Sequence, residues 1–198
     1  MKTLYRFNLN ALHPGDIIRR RSYTPVGWAI RASLPGCWSN HDAAWVPKGS
    51  NFYIGDAQFP KAVLTDYHAY ENDMDAGKCE VRVCRPTNAT LYQGIATAKW
   101  WRDNVEGKPY DLAAYPQIIY QTGRVGRIVV KAIWGKNWPK EWEWSWYCTE
   151  GVSDAWAIGG KTDIYGDKFQ PTPLTTQKRI ETGVLMDITK QAIVIKIA

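Results

Sequence analysis

The cysteine at position 148 has the sequence context best suited to nucleophilic chemistry in this chain. Aromatic and polar residues alternate over residues 142–147, which predicts a strand. Apolar residues then recur at helical spacing from Cys148 to Trp156, and Gly159-Gly160 is expected to end that helix. A thiol in the first helical turn meets unpaired N–H groups and the positive end of the helix dipole, which favour the nucleophilic thiolate. The alternative is a small buried cysteine without reactivity.

A thiolate nucleophile usually works with a general base, and the chain offers three histidines. His13 is in a turn, and His68 is in a polar stretch that resembles a loop. His41 instead begins a predicted strand over residues 41–46, and a short turn connects it to a second predicted strand over residues 52–59. The position at the start of this hairpin makes His41 the candidate base.

The same hairpin carries two candidate groups that could orient the histidine. Side chains on a strand alternate between faces, so a register that puts Asp56 opposite His41 also keeps Gln58 on the same face. A shift of two residues puts Gln58 opposite His41 instead. Asp56 is favoured because an anionic partner also stabilises an imidazolium, and Gln58 is the alternative third member. A solvated strand carboxylate is the other interpretation of Asp56.

The order of these residues has a counterpart in a known superfamily. Papain-type enzymes place cysteine before histidine, whereas here His41 comes well before Cys148. This order, together with Gly15-Asp16-Ile17-Ile18, Gly107-Lys108-Pro109-Tyr110-Asp111 and Tyr147-Cys148-Thr149-Glu150, resembles the circularly permuted papain-like branch of the NlpC superfamily. That branch includes the YiiX-like hydrolases and the lecithin–retinol acyltransferase-like proteins.

The resemblance has departures as well as matches. The family typically has Ser before its histidine, Ser after its cysteine and an apolar residue after its glutamate; here these are Asn40, Thr149 and Gly151. The third catalytic residue, often Glu followed by a small residue, resembles Asp56-Ala57, and the family's Thr-Pro-x-x-Leu stretch is matched loosely near Pro173-Leu174.

The resemblance implies an α+β fold of the permuted papain-like type, with a small antiparallel sheet packed against helices. It also implies a Cys148–His41–Asp56 triad in a cysteine hydrolase that cleaves an amide bond, most plausibly a peptidase or amidase acting on cell-wall peptide. The alternatives are a lipid-directed acyl hydrolase or acyltransferase with the same triad, and a non-catalytic binding module built on the tryptophans. The expected partner is therefore a peptide, peptidoglycan or acyl substrate.

Composition indicates the number of domains and the cellular location to expect. The chain has 198 residues, 45% hydrophobic and 22% charged, which predicts a single domain over residues 1–198. No apolar run approaches a membrane span, so integral membrane association is not expected. The first residues lack the apolar core of a signal peptide, which predicts cytoplasmic synthesis, with release by lysis or a dedicated secretion system still open.

The formal net charge of +6 and the cluster Arg19-Arg20-Arg21 favour anionic partners or a generally basic surface. Nucleic-acid binding is not favoured, since the chain carries no recognised motif for it. Trp134, Trp138, Trp142, Trp144 and Trp146 could line a substrate groove or belong to the core.

The remaining cysteines do not predict a metal site, and no cofactor is expected. Cys79 and Cys84 are five positions apart on a predicted strand and therefore point to opposite faces. A zinc site built from Cys37, His41 and these two residues is the alternative, but its spacings match no compact finger.

Three further elements are predicted. A helix over residues 91–106 is expected to bury Leu91, Ile95, Ala98 and Arg102 or Val105, with Gly107 as its cap. A second helix is expected over residues 110–121, and residues 192–197 are expected to form a C-terminal strand.

Overall fold

The computed structural model describes residues 3–34, 36–111, 147–166 and 171–197. Within this part of the chain, an antiparallel sheet packs against helices, so the predicted α+β class is confirmed. The strands are β1 (Thr3–Phe7), β2 (Ile17–Ser22), β3 (His41–Lys48), β4 (Asn51–Ala57), β5 (Ala62–Asp66), β6 (Cys79–Pro86), β7 (Leu185–Asp187) and β8 (Ile193–Ile197). The helices are α1 (Pro25–Ser33), α2 (Tyr67–Asp75), α3 (Leu91–Asn104), α4 (Cys148–Asp154), α5 (Pro173–Glu181) and α6 (Thr189–Ala192), and a π-helical segment (Ala155–Gly159) continues α4.

The main sheet has the strand order β5-β4-β3-β2-β6-β7, with every described pair antiparallel. β3 is therefore an inner strand, flanked by β2 and by its hairpin partner β4. The predicted hairpin that begins at His41 is confirmed. β1 and β8 form a separate two-stranded sheet, which includes the predicted C-terminal strand.

Strand alternation divides the core into two halves on opposite faces of this sheet. Ala44 and Val46 of β3 pack with α3, α4 and the π-helical segment, whereas Ala43 and Trp45 pack with α2. Burial of these apolar side chains is the main stabilising contribution to the fold. His41 is the first residue of β3.

The cysteine helix begins and ends at the predicted residues, but with a change of geometry inside it. The last turn, Ala155–Gly159, is π-helical, and Gly160 follows as the C-cap with a φ of −79°. Gly160 is thus not a left-handed cap. A Cβ on Gly159 would lie 2.5 Å from the Trp100 Cβ, and a Cβ on Gly160 would lie 2.4 Å from the Thr97 hydroxyl. These glycines permit close helix packing against α3 rather than a reversal of the chain.

The predicted inward face of α3 is correct for Ala98 and Val105, which are buried, and wrong for Leu91 and Ile95. Leu91 and Ile95 are 50% and 45% exposed, whereas Gly94, Ala98 and Trp101 are buried. The small residues face inward because the π-helical segment and the turn near Pro14 approach closely there. The helix ends at Asn104, and Gly107, with a φ of +80°, follows in the next turn.

Other expectations have mixed outcomes. Cys79 and Cys84 pack in the two different core halves, so their predicted opposite orientation is confirmed.

His68 is not in a loop: it lies in the first turn of α2, where its Nδ1 is 2.7 Å from the Glu71 carboxylate. The loop interpretation failed because Asp66 caps the helix by accepting the His68 N–H, a role compatible with a polar sequence. Of the helix predicted over residues 110–121, only Tyr110 and Asp111 are described, and neither is helical. Residues 112–121, residues 142–146 of the strand predicted over 142–147, and the tryptophans at 134, 138, 142, 144 and 146 lie outside the described residues.

Among the helices that the structure describes, none combines the length and the apolar character required to cross a membrane.

The close packing of α3 predicts an unusual response to a glycine replacement. Gly94→Ala would place a Cβ 2.3 Å from the Pro14 carbonyl oxygen, so it should lower the free energy of unfolding by roughly 1–3 kcal/mol, although Ala is the better helix former. Ile95→Ala, at the adjacent exposed position, should change stability by only about 0.5 kcal/mol. Urea denaturation of both variants measures the difference. Equal stability of the two variants would contradict the observed orientation of α3.

Candidate active site

The first residue of β3 contacts a buried carboxylate on β4. His41 Nε2 lies 2.5 Å from Asp56 Oδ1, and the side chains of His41 and Asp56 are 18% and 4% exposed. Both residues are on the α2 side of the sheet, because Trp45 and Ile54 of the same strand faces belong to that core half. The contact fixes the ring orientation and leaves the other ring nitrogen, Nδ1, for a second partner.

Asp56 has two further neighbours that hold its charge in place. The Tyr70 hydroxyl of α2 donates a hydrogen bond to Asp56 Oδ2 at 2.8 Å. Arg20 lies directly opposite His41 in the β2–β3 ladder, its guanidinium stacks 4.6 Å from the centre of the Tyr70 ring, and it pairs with Asp73 at 2.5 Å. The carboxylate therefore sits among a hydroxyl donor, an imidazole and a nearby cation.

These contacts shift the two coupled groups in opposite directions. Burial opposes an imidazolium at His41, but the charges of Asp56 and Cys148 outweigh it and raise the pKa of His41 well above its usual value. Burial also disfavours the Asp56 carboxylate, yet His41, Tyr70 and Arg20 together lower the pKa of Asp56. Burial and the neighbouring Asp56 charge raise the pKa of Tyr70, so this residue remains a protonated donor. The site thus favours an imidazolium next to a carboxylate.

Cys148 is the first residue of α4 and interacts with the same imidazole. Tyr147 caps the helix in an extended conformation, and its buried hydroxyl donates a hydrogen bond of 2.7 Å to the Pro171 carbonyl oxygen. α4 packs on the face of the sheet opposite to α2, and His41 is the first residue of its strand. The His41 imidazole therefore has Asp56 as a direct contact and Cys148 as an electrostatic neighbour.

The expected link between hairpin register and orienting residue is wrong. In the β3–β4 ladder Ala44 pairs with Gly55, and the same register continued to the strand end places His41 opposite Gln58. The imidazole nevertheless reaches diagonally to Asp56, while Gln58 is exposed. Diagonal neighbours on one face of a sheet are within reach of long side chains, so direct opposition does not decide the partner.

The residues on the other face of β3 form a second polar cluster. Asp42 is fully buried and accepts hydrogen bonds from the Thr149 hydroxyl at 3.2 Å and from the Thr176 hydroxyl at 2.6 Å. Arg19, opposite Asp42 in the ladder, places its Nε 3.5 Å from Asp42 Oδ1. Its guanidinium also donates to the Ser39 hydroxyl and the Pro173 carbonyl oxygen. This cluster joins β2, β3, α4 and α5.

The three consecutive arginines are therefore not a basic surface patch. Arg19 is fully buried, Arg20 points to the opposite face towards Asp73, and the Arg21 guanidinium lies 4.0 Å from Glu80 at the surface. Strand alternation turns Arg20 away from Arg19 and Arg21, and Arg19 is buried whereas Arg21 is at the surface, so a cluster in sequence is not a cluster in space. The anionic partner suggested by this motif loses its basis.

Asn40 stands where the superfamily that the sequence resembles typically has serine, and its side chain has a structural role beside His41. Its side-chain Oδ1 accepts a hydrogen bond of 2.8 Å from the Ser22 N–H, and Asn40 is 4% exposed. This bond ties the end of β2 to the residue preceding His41. It limits movement of the strand end that carries the imidazole.

A cleft of about 440 Å³ opens beside His41 and Asp56. Its walls include Ile30 of α1, together with Asn40, Gln58 and Phe59. Phe59 is 67% exposed, so the cleft presents an aromatic surface next to polar groups.

The other described cysteines differ from Cys148 in their surroundings. Burial raises the pKa of Cys37 to about 11 and, as the main cause, raises the pKa values of Cys79 and Cys84 as well. Within the described ranges, no three side chains of His, Cys, Asp or Glu are grouped as a metal site requires.

Sequence reasoning missed Tyr70, Asp42 and the direct role of Arg20. Tyr70 was hidden because its segment resembled a loop rather than a helix. Asp42 could have been found from the sequence, because it follows His41 and strand alternation places the two side chains on opposite faces of the sheet. The same alternation could have separated Arg20 from Arg19.

Comparison with known proteins supports the fold and goes no further. No protein-family model matches the chain, and no curated protein matches it by sequence. The chain is similar to the crystal structure of metalloprotein YiiX from Escherichia coli O157:H7, with 16% identity, 93% of this chain and 96% of that chain covered, and a TM-score of 0.53. The chain therefore has a YiiX-like fold.

Proposed function

We propose that the protein is a cysteine hydrolase that cleaves an amide bond, and specifically a peptidase or amidase acting on cell-wall peptide. The observation that carries this proposal is the series of hydrogen bonds from Tyr70 through Asp56 to His41, whose imidazole interacts electrostatically with Cys148 at the start of a helix. A nucleophile, a base and a group that orients the base are the parts that acyl transfer by covalent catalysis requires.

Each residue has a distinct chemical role in this proposal. The Cys148 thiolate attacks the substrate carbonyl carbon, and the Cys148 N–H, in the first turn of the helix, stabilises the oxyanion. His41 then donates its proton to the leaving amine, the C–N bond breaks, and a thioester to Cys148 remains. A water molecule gives a proton to His41 and attacks the thioester, which releases the carboxylic acid and restores the Cys148 thiolate beside the protonated His41. Asp56 stabilises the imidazolium, and Tyr70 holds Asp56.

The resemblance to the permuted papain-like branch of the NlpC superfamily supports this proposal independently of the contacts. The order of His41 before Cys148 and the local Tyr-Cys-Thr-Glu sequence agree with it. The YiiX-like fold is compatible with it, although likeness at this level of identity concerns the fold alone.

The term metalloprotein in the description of the YiiX structure does not transfer to the described site. The site's donors are one thiol, one imidazole and one carboxylate, but they lie in series rather than around a common point, and Asp56 is already occupied by His41 and Tyr70. We therefore assign no metal to these residues, and no step of the proposed reaction passes through one.

A lipid-directed acyl hydrolase or acyltransferase is the second candidate, favoured by one observation. The exposed Phe59 ring at the cleft would suit an acyl chain as well as a peptide side chain. The same nucleophile and base would then act on an ester.

The function is tested by incubation of the wild type and of Cys148→Ala with purified sacculi and, separately, with phospholipid vesicles. Mass spectrometry should detect new amino and carboxyl ends in peptidoglycan peptides with the wild type and none with Cys148→Ala. Release of fatty acid from vesicles instead would establish the lipid-directed candidate. Absence of a Cys148-dependent product from both substrates, with Cys148 unreactive, would favour a binding module.

The two orienting candidates predict different kinetic losses. Asp56→Asn should reduce turnover strongly, by about 10²-fold or more, because an amide cannot stabilise imidazolium as a carboxylate does. Gln58→Ala, the matched change on the same strand face, should cause a much smaller loss. Steady-state kinetics on the substrate identified above measures both. A larger loss for Gln58→Ala would contradict the assignment of Asp56.

Alkylation tests the proposed nucleophile without a substrate. Iodoacetamide at about pH 6 should label Cys148 before Cys37, Cys79 and Cys84, because an imidazolium stabilises a thiolate and burial keeps the other thiols protonated. His41→Ala should slow this labelling. Peptide mass spectrometry follows each site, and equal labelling of all four cysteines in the folded protein would indicate a structural Cys148.

A further inference from the structure

The residues that follow the two reacting residues in sequence are bonded to each other. Asp42 follows His41, Thr149 follows Cys148, and the Thr149 hydroxyl donates to Asp42 Oδ2 at 3.2 Å. Both Asp42 and Thr149 are fully buried. One hydrogen bond therefore joins the histidine strand to the cysteine helix a single residue away from each reacting side chain.

The hydrogen bond between Thr149 and Asp42 is placed where it can affect the distance between Cys148 and His41. Alternation along β3 turns Asp42 away from His41 and towards α4, where Thr149 lies in the first helical turn beside Cys148. Adjacent α-carbons are held at a fixed spacing by the covalent chain. A displacement of Thr149 along or away from β3 would thus move Cys148 relative to His41.

The Asp42 carboxylate is held in place by two partners other than Thr149. Arg19 faces Asp42 across the β2–β3 ladder at 3.5 Å, and the Thr176 hydroxyl of α5 occupies the same oxygen as Thr149 at 2.6 Å. The Thr149 hydroxyl also lies 3.8 Å from the Cys148 sulfur. The bond between Asp42 and Thr149 is hence the direct connection from this fixed carboxylate to the cysteine helix.

We propose that Asp42 and Thr149 form a positioning pair that sets the placement of Cys148 against His41. This inference rests on the proposed function, since it assigns a purpose to the Cys148–His41 contact. The pair touches no substrate and takes no proton in the reaction. It predicts that the residue after the cysteine must carry a hydroxyl, which Thr or Ser would satisfy and Val would not.

The test compares three variants by the rate at which iodoacetamide alkylates Cys148 across a pH series. Thr149→Val keeps the side-chain shape but removes the donor, and should slow alkylation at mildly acid pH by roughly tenfold or more, since small misplacements of reacting groups are costly. Thr149→Ser restores the donor and should recover most of the rate. Thr176→Val, the matched control, removes a hydroxyl from the same Asp42 oxygen away from Cys148 and should cause a much smaller loss.

The pH profile separates positioning from general weakening of the fold. Loss of the Cys148–His41 contact should move the alkylation profile of Thr149→Val towards that of His41→Ala, whereas simple destabilisation would not change the shape of the curve. Urea denaturation of each variant checks stability. If Thr149→Val does not fold, Thr149→Ala removes the same hydroxyl and replaces it in the comparison.

Each outcome has a defined consequence. Wild-type alkylation of Thr149→Val, with slow alkylation of His41→Ala, would overturn the positioning pair and leave the proposed function standing. Equal slowing in Thr149→Val and Thr176→Val, or failure of Thr149→Ser to recover the rate, would also overturn it. Unchanged alkylation of His41→Ala would show instead that the proposed function itself fails.

Discussion

The alternation of side chains along β3 is the constraint on which the rest of this site depends. His41 and Asp42 are neighbours in sequence but project to opposite faces of the sheet, and Arg20 and Arg19 lie opposite them on β2. On one face, His41 meets Asp56, with Arg20 and Tyr70 close by. On the other, Asp42 meets Arg19 and the hydroxyls of α4 and α5. The paired strands β2 and β3 thus contribute residues both to the polar series at the cleft and to the buried cluster on the opposite face.

The electrostatic balance on the cleft face follows from burial and from the order of the partners. A buried carboxylate alone would take up a proton, and a buried imidazole alone would lose one. Side by side, each stabilises the charged form of the other, and the Tyr70 hydroxyl and Arg20 add to the stabilisation of Asp56. The arrangement favours His41 as a cation next to the Cys148 sulfur, which is the state in which a thiol–imidazole pair is ready to react.

Sequence periodicity could predict the elements whose hydrophobic pattern is regular and whose ends are marked by turn or cap residues. The hairpin that begins at His41 and the helix that begins at Cys148 are two such elements. The choice between Asp56 and Gln58 could not follow from register, because a diagonal contact depends on side-chain reach. The inward orientation predicted for Leu91 and Ile95 of α3 was wrong because Gly94 is buried by the close approach of the turn at Pro14, a tertiary effect that hydrophobicity does not report.

The proposed reaction requires that Asp56 and Cys148 together stabilise His41 as an imidazolium. This requirement can be measured by nitrogen-15 NMR of the labelled His41 ring, titrated in the wild type and in Cys148→Ala. The proposed reaction predicts that the wild-type ring titrates well above its ordinary pKa near 6.5, and at lower pH once the cysteine is removed, because both neighbours raise the His41 pKa. A His41 ring that titrates at its ordinary value in the wild type and is unaffected by Cys148→Ala would contradict it.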